Sequence, residues 1–142
     1  ERGHLFQQSL AGLARRGPGQ GRWINMIHRD DVAPALEAVM LHGEAGQTYN
    51  AVDDEPVLQG EFLRFLATET GLPLPPLAES ADPTGTISVR KRGTTHKRVS
   101  NRRLREDLGW KPQFPTFREG YAGAIAAVIS SPGQTFQRPA LL

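Results

Sequence analysis

The sequence contains no cysteine, which excludes disulfides, thiolate nucleophiles and cysteine-ligated zinc. No apolar run approaches the roughly 20 residues that a membrane-crossing helix needs. The opening Glu1-Arg2-Gly3-His4 lacks both an initiator methionine and the basic-then-apolar layout of a secretory leader. These absences lead to the expectation of a cytoplasmic chain that begins inside a longer protein.

What remains is an ordinary globular composition, 38% hydrophobic and 23% charged over 142 residues, enough for one domain with a core of its own. The net charge of +2 hides an asymmetry. Residues 1–89 carry 6 basic and 12 acidic side chains, whereas residues 90–142 carry 11 and 3. The second part therefore generates a positive field suited to phosphates, acidic surfaces or nucleic acid.

Apolar spacing divides the chain into elements. Leu5, Phe6, Leu10 and Leu13 predict a helix broken by the glycine-rich stretch Gly17 to Gly21. Residues 22–28 (RWINMIH) predict a strand leading into a helix capped by Asp30 or Asp31, with Val32, Leu36, Val39 and Met40 as its packed stripe. Residues 47–52 (QTYNAV) predict a second strand, and Leu58, Phe62, Phe65 and Leu66 predict a helix ending at Gly71.

Prolines at 73, 75, 76 and 83 predict a long cover loop, with a brief strand at Ile87 and Val89. Ser100 is a suitable cap for a short helix carrying Leu104 and Leu108 and ending at Gly109. Thr116-Phe117-Arg118-Glu119 forms a capping box opening a helix with Phe117, Tyr121, Ala124, Ile125, Val128 and Ile129 on one face. Residues 1–131 are expected to form the body and residues 132–142 a mobile tail.

Three of these segments carry more than structure. Asn25 to Ala33 (NMIHRDDVA), Thr48 to Val52 (TYNAV) and Arg98 to Pro112 (RVSNRRLREDLGWKP) resemble, in order and spacing, three successive signatures of extended short-chain dehydrogenases/reductases. These are the Ile-His-x-x-Asp-Val-Ala junction, the Tyr-Asn strand and the cap-helix-Leu-Gly-Trp segment of the NAD-dependent epimerase/dehydratase group. The resemblance implies an α/β fold: the C-terminal part of a Rossmann-type protein, few strands with a mainly helical substrate-binding region, and the nucleotide-binding half missing.

The family's cofactor and catalytic signatures are not found in these residues. The one glycine cluster precedes a strand, the wrong position for a pyrophosphate turn. Tyr49 is followed four residues on by Asp53, and Tyr121 by Ile125, so neither supplies the family's Tyr-x-x-x-Lys pair. No catalytic, cofactor-binding or metal residue is assigned here. NAD or NADP is expected in the parent protein and not on this chain alone.

The resemblance places basic residues before the Leu-Gly-Trp segment beside the substrate cleft, which nominates Arg90, Arg92, Lys97 and Arg98 as substrate-binding residues; a solvated basic loop is the alternative. His28 reads as a structural histidine. In many nucleotide-sugar members an arginine shortly precedes the Ile-His pair; here Ile24, Asn25 and Met26 fill those positions, which weakens a nucleoside-diphosphate-sugar substrate.

The expected function is thus the substrate side of an NAD(P)-dependent epimerase, dehydratase or reductase, with a small-molecule substrate. Expected partners are the missing nucleotide-binding half and a second copy paired through the Tyr49-Asn50 strand. One alternative is an atypical member that binds or regulates without catalysis. The other is a basic nucleic-acid module, disfavoured because no Phe, Tyr or Trp lies between residues 90 and 109.

Overall fold

A computed structural model describes residues 5–17, 19–78 and 96–130. Among these the chain is α/β, with five helices and one two-stranded antiparallel sheet. The elements are α1 (Leu5–Leu10), β1 (Trp23–Ile24), α2 (Arg29–His42), β2 (Val57–Leu58), α3 (Gln59–Thr70), α4 (Arg102–Leu108) and α5 (Phe117–Ile129). They fall into two compact units. The first joins residues up to Arg22 with Leu58–His96 and the chain from Ile125, and the second joins Trp23–Val57 with Lys97–Ala124.

In the first unit α1 packs on α3. Phe62, Leu63 and Leu66 are almost fully buried and Phe6 nearly so, the stripe that the 3.6-residue period requires. Leu13 lies beyond α1 and is exposed. Gly60 sits where a Cβ would come within 3.0 Å of Gln20 Oε1 and 3.1 Å of its carbonyl, and its N–H donates to that carbonyl at 2.8 Å. Arg16 and Leu77 form a parallel bridge, with the Arg16 side chain donating to the Pro75 carbonyl at 2.7 Å.

In the second unit α2 packs on α4 around Ala35, Leu104 and Trp110, with Ile27, Ala38, Val39, Tyr49 and Leu108 alongside. Gly109 ends α4 with φ 69°, and its N–H donates to the Arg105 carbonyl, the left-handed stop that spares the chain a Cβ clash. The capping box at the start of α5 is present. Thr116 Oγ1 accepts from the Arg118 N–H at 3.2 Å, and Glu119 Oε2 accepts from the Thr116 N–H at 3.0 Å.

Several expectations are corrected. The packed face of α2 is Ala35, Ala38 and Val39, while Val32, Leu36 and Met40 are 37%, 59% and 85% exposed. The smaller alanine side lets α4 approach more closely, so the bulkier stripe faces outward. The helix is capped by His28, whose Nδ1 accepts from the Asp30 N–H at 3.3 Å, in place of either aspartate. Asn101, not Ser100, occupies the cap of α4, although Ser100 Oγ still accepts from the Arg102 N–H at 3.2 Å.

The strand expected over residues 22–28 is confined to Trp23–Ile24. Residues 47–52 join no β-ladder among the described residues, because a strand exists only where a neighbour accepts its hydrogen bonds. The cover loop beyond residue 78, the strand at Ile87 and Val89, and the tail 132–142 lie outside the described residues.

Candidate functional site

The nominated basic residues separate into two groups. Arg90 and Arg92 lie outside the described residues, whereas Lys97 and Arg98 lie in a segment of the second unit. Asn25 holds that segment with both ends of its amide. Its Nδ2 donates to the Lys97 carbonyl at 3.0 Å, and its Oδ1 accepts from the Val99 N–H at 2.7 Å. Such a bidentate contact reproduces one rung of a β-ladder with a side chain.

Asn50 adds a second tie, Nδ2 donating to the Ser100 carbonyl at 3.3 Å. Asn101, 7% exposed, anchors the end of the segment by donating to the Val52 carbonyl at 2.9 Å and to Asp54 Oδ1 at 2.7 Å. Between these anchors the Arg98 guanidinium lies over the Trp23 ring, 4.9 Å from its centroid. Stacking leaves the edge donors of the guanidinium free to meet an anionic or carbonyl group.

The sequence did not nominate Asn25 or Trp23. Their partners lie more than 70 residues downstream, and an asparagine inside a strand-like run is the one local signal that could have marked a side chain with a separate task. Asn25→Ala should remove two hydrogen bonds of about 1 kcal/mol each. Hydrogen exchange at the Val99 amide should then accelerate roughly tenfold or more, with the α4 amides unchanged.

His28 and Asp31 serve the frame of this unit. The His28 ring lies against Phe114, 3.8 Å between centroids. Asp31, 2% exposed, accepts from the Gln113 N–H at 2.6 Å and the Phe114 N–H at 3.1 Å. The Asp of the Ile-His-x-x-Asp motif therefore clasps the loop between α4 and α5. Among the described residues, no group of three or more His, Cys, Asp or Glu side chains is arranged to hold a metal.

The acidic turn after residue 52 is the electrostatic counterpart of the basic segment. Asp54 pairs with Arg105 at 2.9 Å and Glu55 pairs with Arg118. Asp53, 4% exposed, has an Oδ1 without a hydrogen-bond partner. Burial, with the nearby Glu55, Asp54 and Glu119 charges adding to it, pushes its carboxyl from 3.8 up to about 7, against a backbone hydrogen bond from Glu55.

An open groove on α4, lined by Asn101, Arg102, Arg105, Glu106, Trp110 and Lys111, adds cations to the same unit. Its arginines are partly committed: Arg102 to Glu106 and Arg105 to Asp54. No helix among the described residues is long and apolar enough to cross a membrane.

No family model matches the chain. Over 114 residues it is 32% identical to a 3-diazoavenalumate denitrifying reductase of Streptomyces, a match covering 78% of this chain and 37% of that protein. It is 30% identical over 101 residues to an uncharacterized protein of Saccharomyces cerevisiae, covering 68% of this chain and 32% of the yeast protein. The chain thus spans about a third of the length of the curated relatives it matches.

A functionally unknown conserved protein from Silicibacter pomeroyi shares its fold with a TM-score of 0.61 and 33% identity, over 85% of this chain and 42% of that one. RMD from Pseudomonas aeruginosa, solved with NADPH, does so with a TM-score of 0.57 and 22% identity, over 89% and 40%. The chain is a distant homologue of a reductase and shares the fold of part of a protein that was solved holding NADPH.

Proposed function

We propose that this chain is the substrate-binding portion of an NAD(P)-dependent reductase of the extended short-chain dehydrogenase/reductase family. On this reading the nucleotide site and the proton-exchanging tyrosine are supplied by chain outside these residues. The observation that carries it is the 32% identity to a reductase over 78% of this chain, joined to the ordered motifs between Asn25 and Pro112. The relative's name favours reduction over epimerisation or dehydration. Ile24, Asn25 and Met26 ahead of His28 argue against a nucleotide-sugar substrate.

The roles divide accordingly. The cofactor carries the redox chemistry, and this unit positions the group to be reduced. Arg98, stacked on Trp23, and Lys97 beside it present cations to an anionic or polar part of the substrate. Asn25, Asn50 and Asn101 act as positioning residues by fixing the backbone that carries them.

The test is a chimera in which this chain replaces the matching stretch of the Streptomyces reductase, assayed with NADPH and 3-diazoavenalumate. The chimera should oxidise NADPH. Replacing Lys97 and Arg98 by alanine should raise the KM for the diazo substrate about tenfold, the loss of one charged contact, with the KM for NADPH unchanged. A KM shift confined to NADPH, or an inactive chimera that is folded, would count against the proposal.

A further inference from the structure

α4 carries Arg102, Arg105 and Glu106 at i, i+3 and i+4, a spacing that makes the three side chains neighbours on one helix face. Gly109 ends the helix in the left-handed region, and Trp110 and Lys111, which follow it, line the same open groove, about 320 Å³ in volume. Ligands of metabolite size need about this much space. Arg102, Arg105 and Lys111 against Glu106 leave the walls with a net charge of +2.

The protein does not consume these cations. Arg102 meets Glu106 only at 3.9 Å, beyond hydrogen-bond reach, so that ion pair leaves the donors of its guanidinium available. Arg105 commits one nitrogen, Nη1, to Asp54 at 2.9 Å and keeps the rest of its five-donor fork. Lys111 has no hydrogen bond or ion pair among the described residues. A second observation concerns Trp110, the most buried of the lining residues. It is 5% exposed, and its indole Nε1 is buried without a hydrogen-bond partner. An unpaired buried donor costs free energy that an acceptor recovers.

We propose that this groove binds the phosphate group of a small phosphate monoester. With a second pKa of about 6, such a group is mainly a dianion at neutral pH, which matches the charge of the walls. The two guanidinium forks offer paired donors to its oxygens, and Lys111 adds a point charge. A carboxylate brings one charge and two oxygens, too few for three cations. A nucleic-acid backbone brings one charge per phosphate and relies on aromatic stacking for its bases, and Trp110 is buried too deeply to provide it. Neither Lys97 nor Arg98 lines the groove, so the site is separate from the segment assigned to substrate and stands whether or not the chain serves a reductase.

Titration of the nitrogen-15-labelled chain with glycerol 3-phosphate, at neutral pH and constant ionic strength, tests the site. The indole N–H signal of Trp110 should shift saturably in the NMR spectrum, while that of Trp23, the other tryptophan, stays in place. Arg102→Gln and Lys111→Met should each weaken the affinity about tenfold, the loss of one charged hydrogen bond. Both side chains are on the surface, so the unfolding midpoint should not move. Replacing Lys97 and Arg98 by alanine should leave the affinity unchanged, and dimethyl phosphate, a diester with a single charge, should bind at least about tenfold more weakly than the monoester. No saturable shift at Trp110 overturns the site, as do Arg102→Gln and Lys111→Met variants that bind as well as the parent, or affinity lost only with Lys97 and Arg98. Dimethyl phosphate or a short DNA oligonucleotide binding as tightly as glycerol 3-phosphate overturns the monoester and makes a diester backbone the occupant.

Discussion

Asp31→Ala should destabilise the chain by about 3–5 kcal/mol, a large share of the roughly 5–15 kcal/mol that holds a domain of this size together. The side chain is 2% exposed and both its oxygens are engaged, one by the Gln113 N–H at 2.6 Å and the other by the Phe114 N–H at 3.1 Å. Alanine leaves two backbone donors without acceptors and a hole beside Ala35. Each orphaned donor costs about 1–3 kcal/mol. Asparagine is no rescue, because its NH2 faces one of the two donors. Urea unfolding followed by far-UV circular dichroism reads the effect, and a cost below about 1 kcal/mol would show that the clasp is not what fixes the loop between α4 and α5.

Raising the pH from 5 to 8 should weaken the fold, and Asp53 is the reason. A carboxyl whose folded pKa stands near 7, above its ordinary 3.8, is held protonated by the native state. Its contribution is complete below pH 4 and is lost as the pH climbs through 7. The full separation of the two values corresponds to about 4 kcal/mol as an upper bound. Burial is the first cause, and it acts on a carboxyl whose Oδ1 has no hydrogen-bond partner, whereas Asp54 and Glu55 are paired with Arg105 and Arg118.

Glu119 acts in the opposite sense, its carboxyl held below 4.5 first by the Thr116 hydrogen bond. Its contribution is present above 4.5 and is lost only under more acidic conditions, outside this window. Asp53→Asn should flatten the slope of the urea midpoint between pH 5 and 8. A wild-type midpoint that is constant or rises across that range contradicts the assignment.

What was legible in the sequence was what is decided locally. The α3 stripe through Phe62 and Leu66, the Thr116–Glu119 capping box and the glycine stops at 71 and 109 depend on residues within a few positions of one another, and they appear as expected. The face of α2 was legible only in Val39, the one member of the expected stripe that packs on the core. Val32, Leu36 and Met40 form a genuine apolar stripe, but which of two apolar sides α4 packs on is settled by the volume of Ala35 and Ala38, not by periodicity.

Residues 47–52 have strand-favouring side chains, yet a strand is a relation between two segments and no second one is present among the described residues. The site divides in the same way. Lys97 and Arg98 were marked by charge and by motif, whereas Asn25 and Trp23, which hold and stack them, come from the other end of the unit's sequence. Asp31 was marked by its motif and given the wrong task. Helix capping is the commonest use of an aspartate at that position, and the N–H groups that donate to it, those of Gln113 and Phe114, are some 80 residues away.

The division of labour is open to one direct measurement. The claim is that this chain orients a substrate while nicotinamide is bound elsewhere, so calorimetric titration of the 142-residue chain with NADPH and with NADH should show no saturable heat. Stoichiometric binding of either nucleotide at micromolar affinity would contradict it.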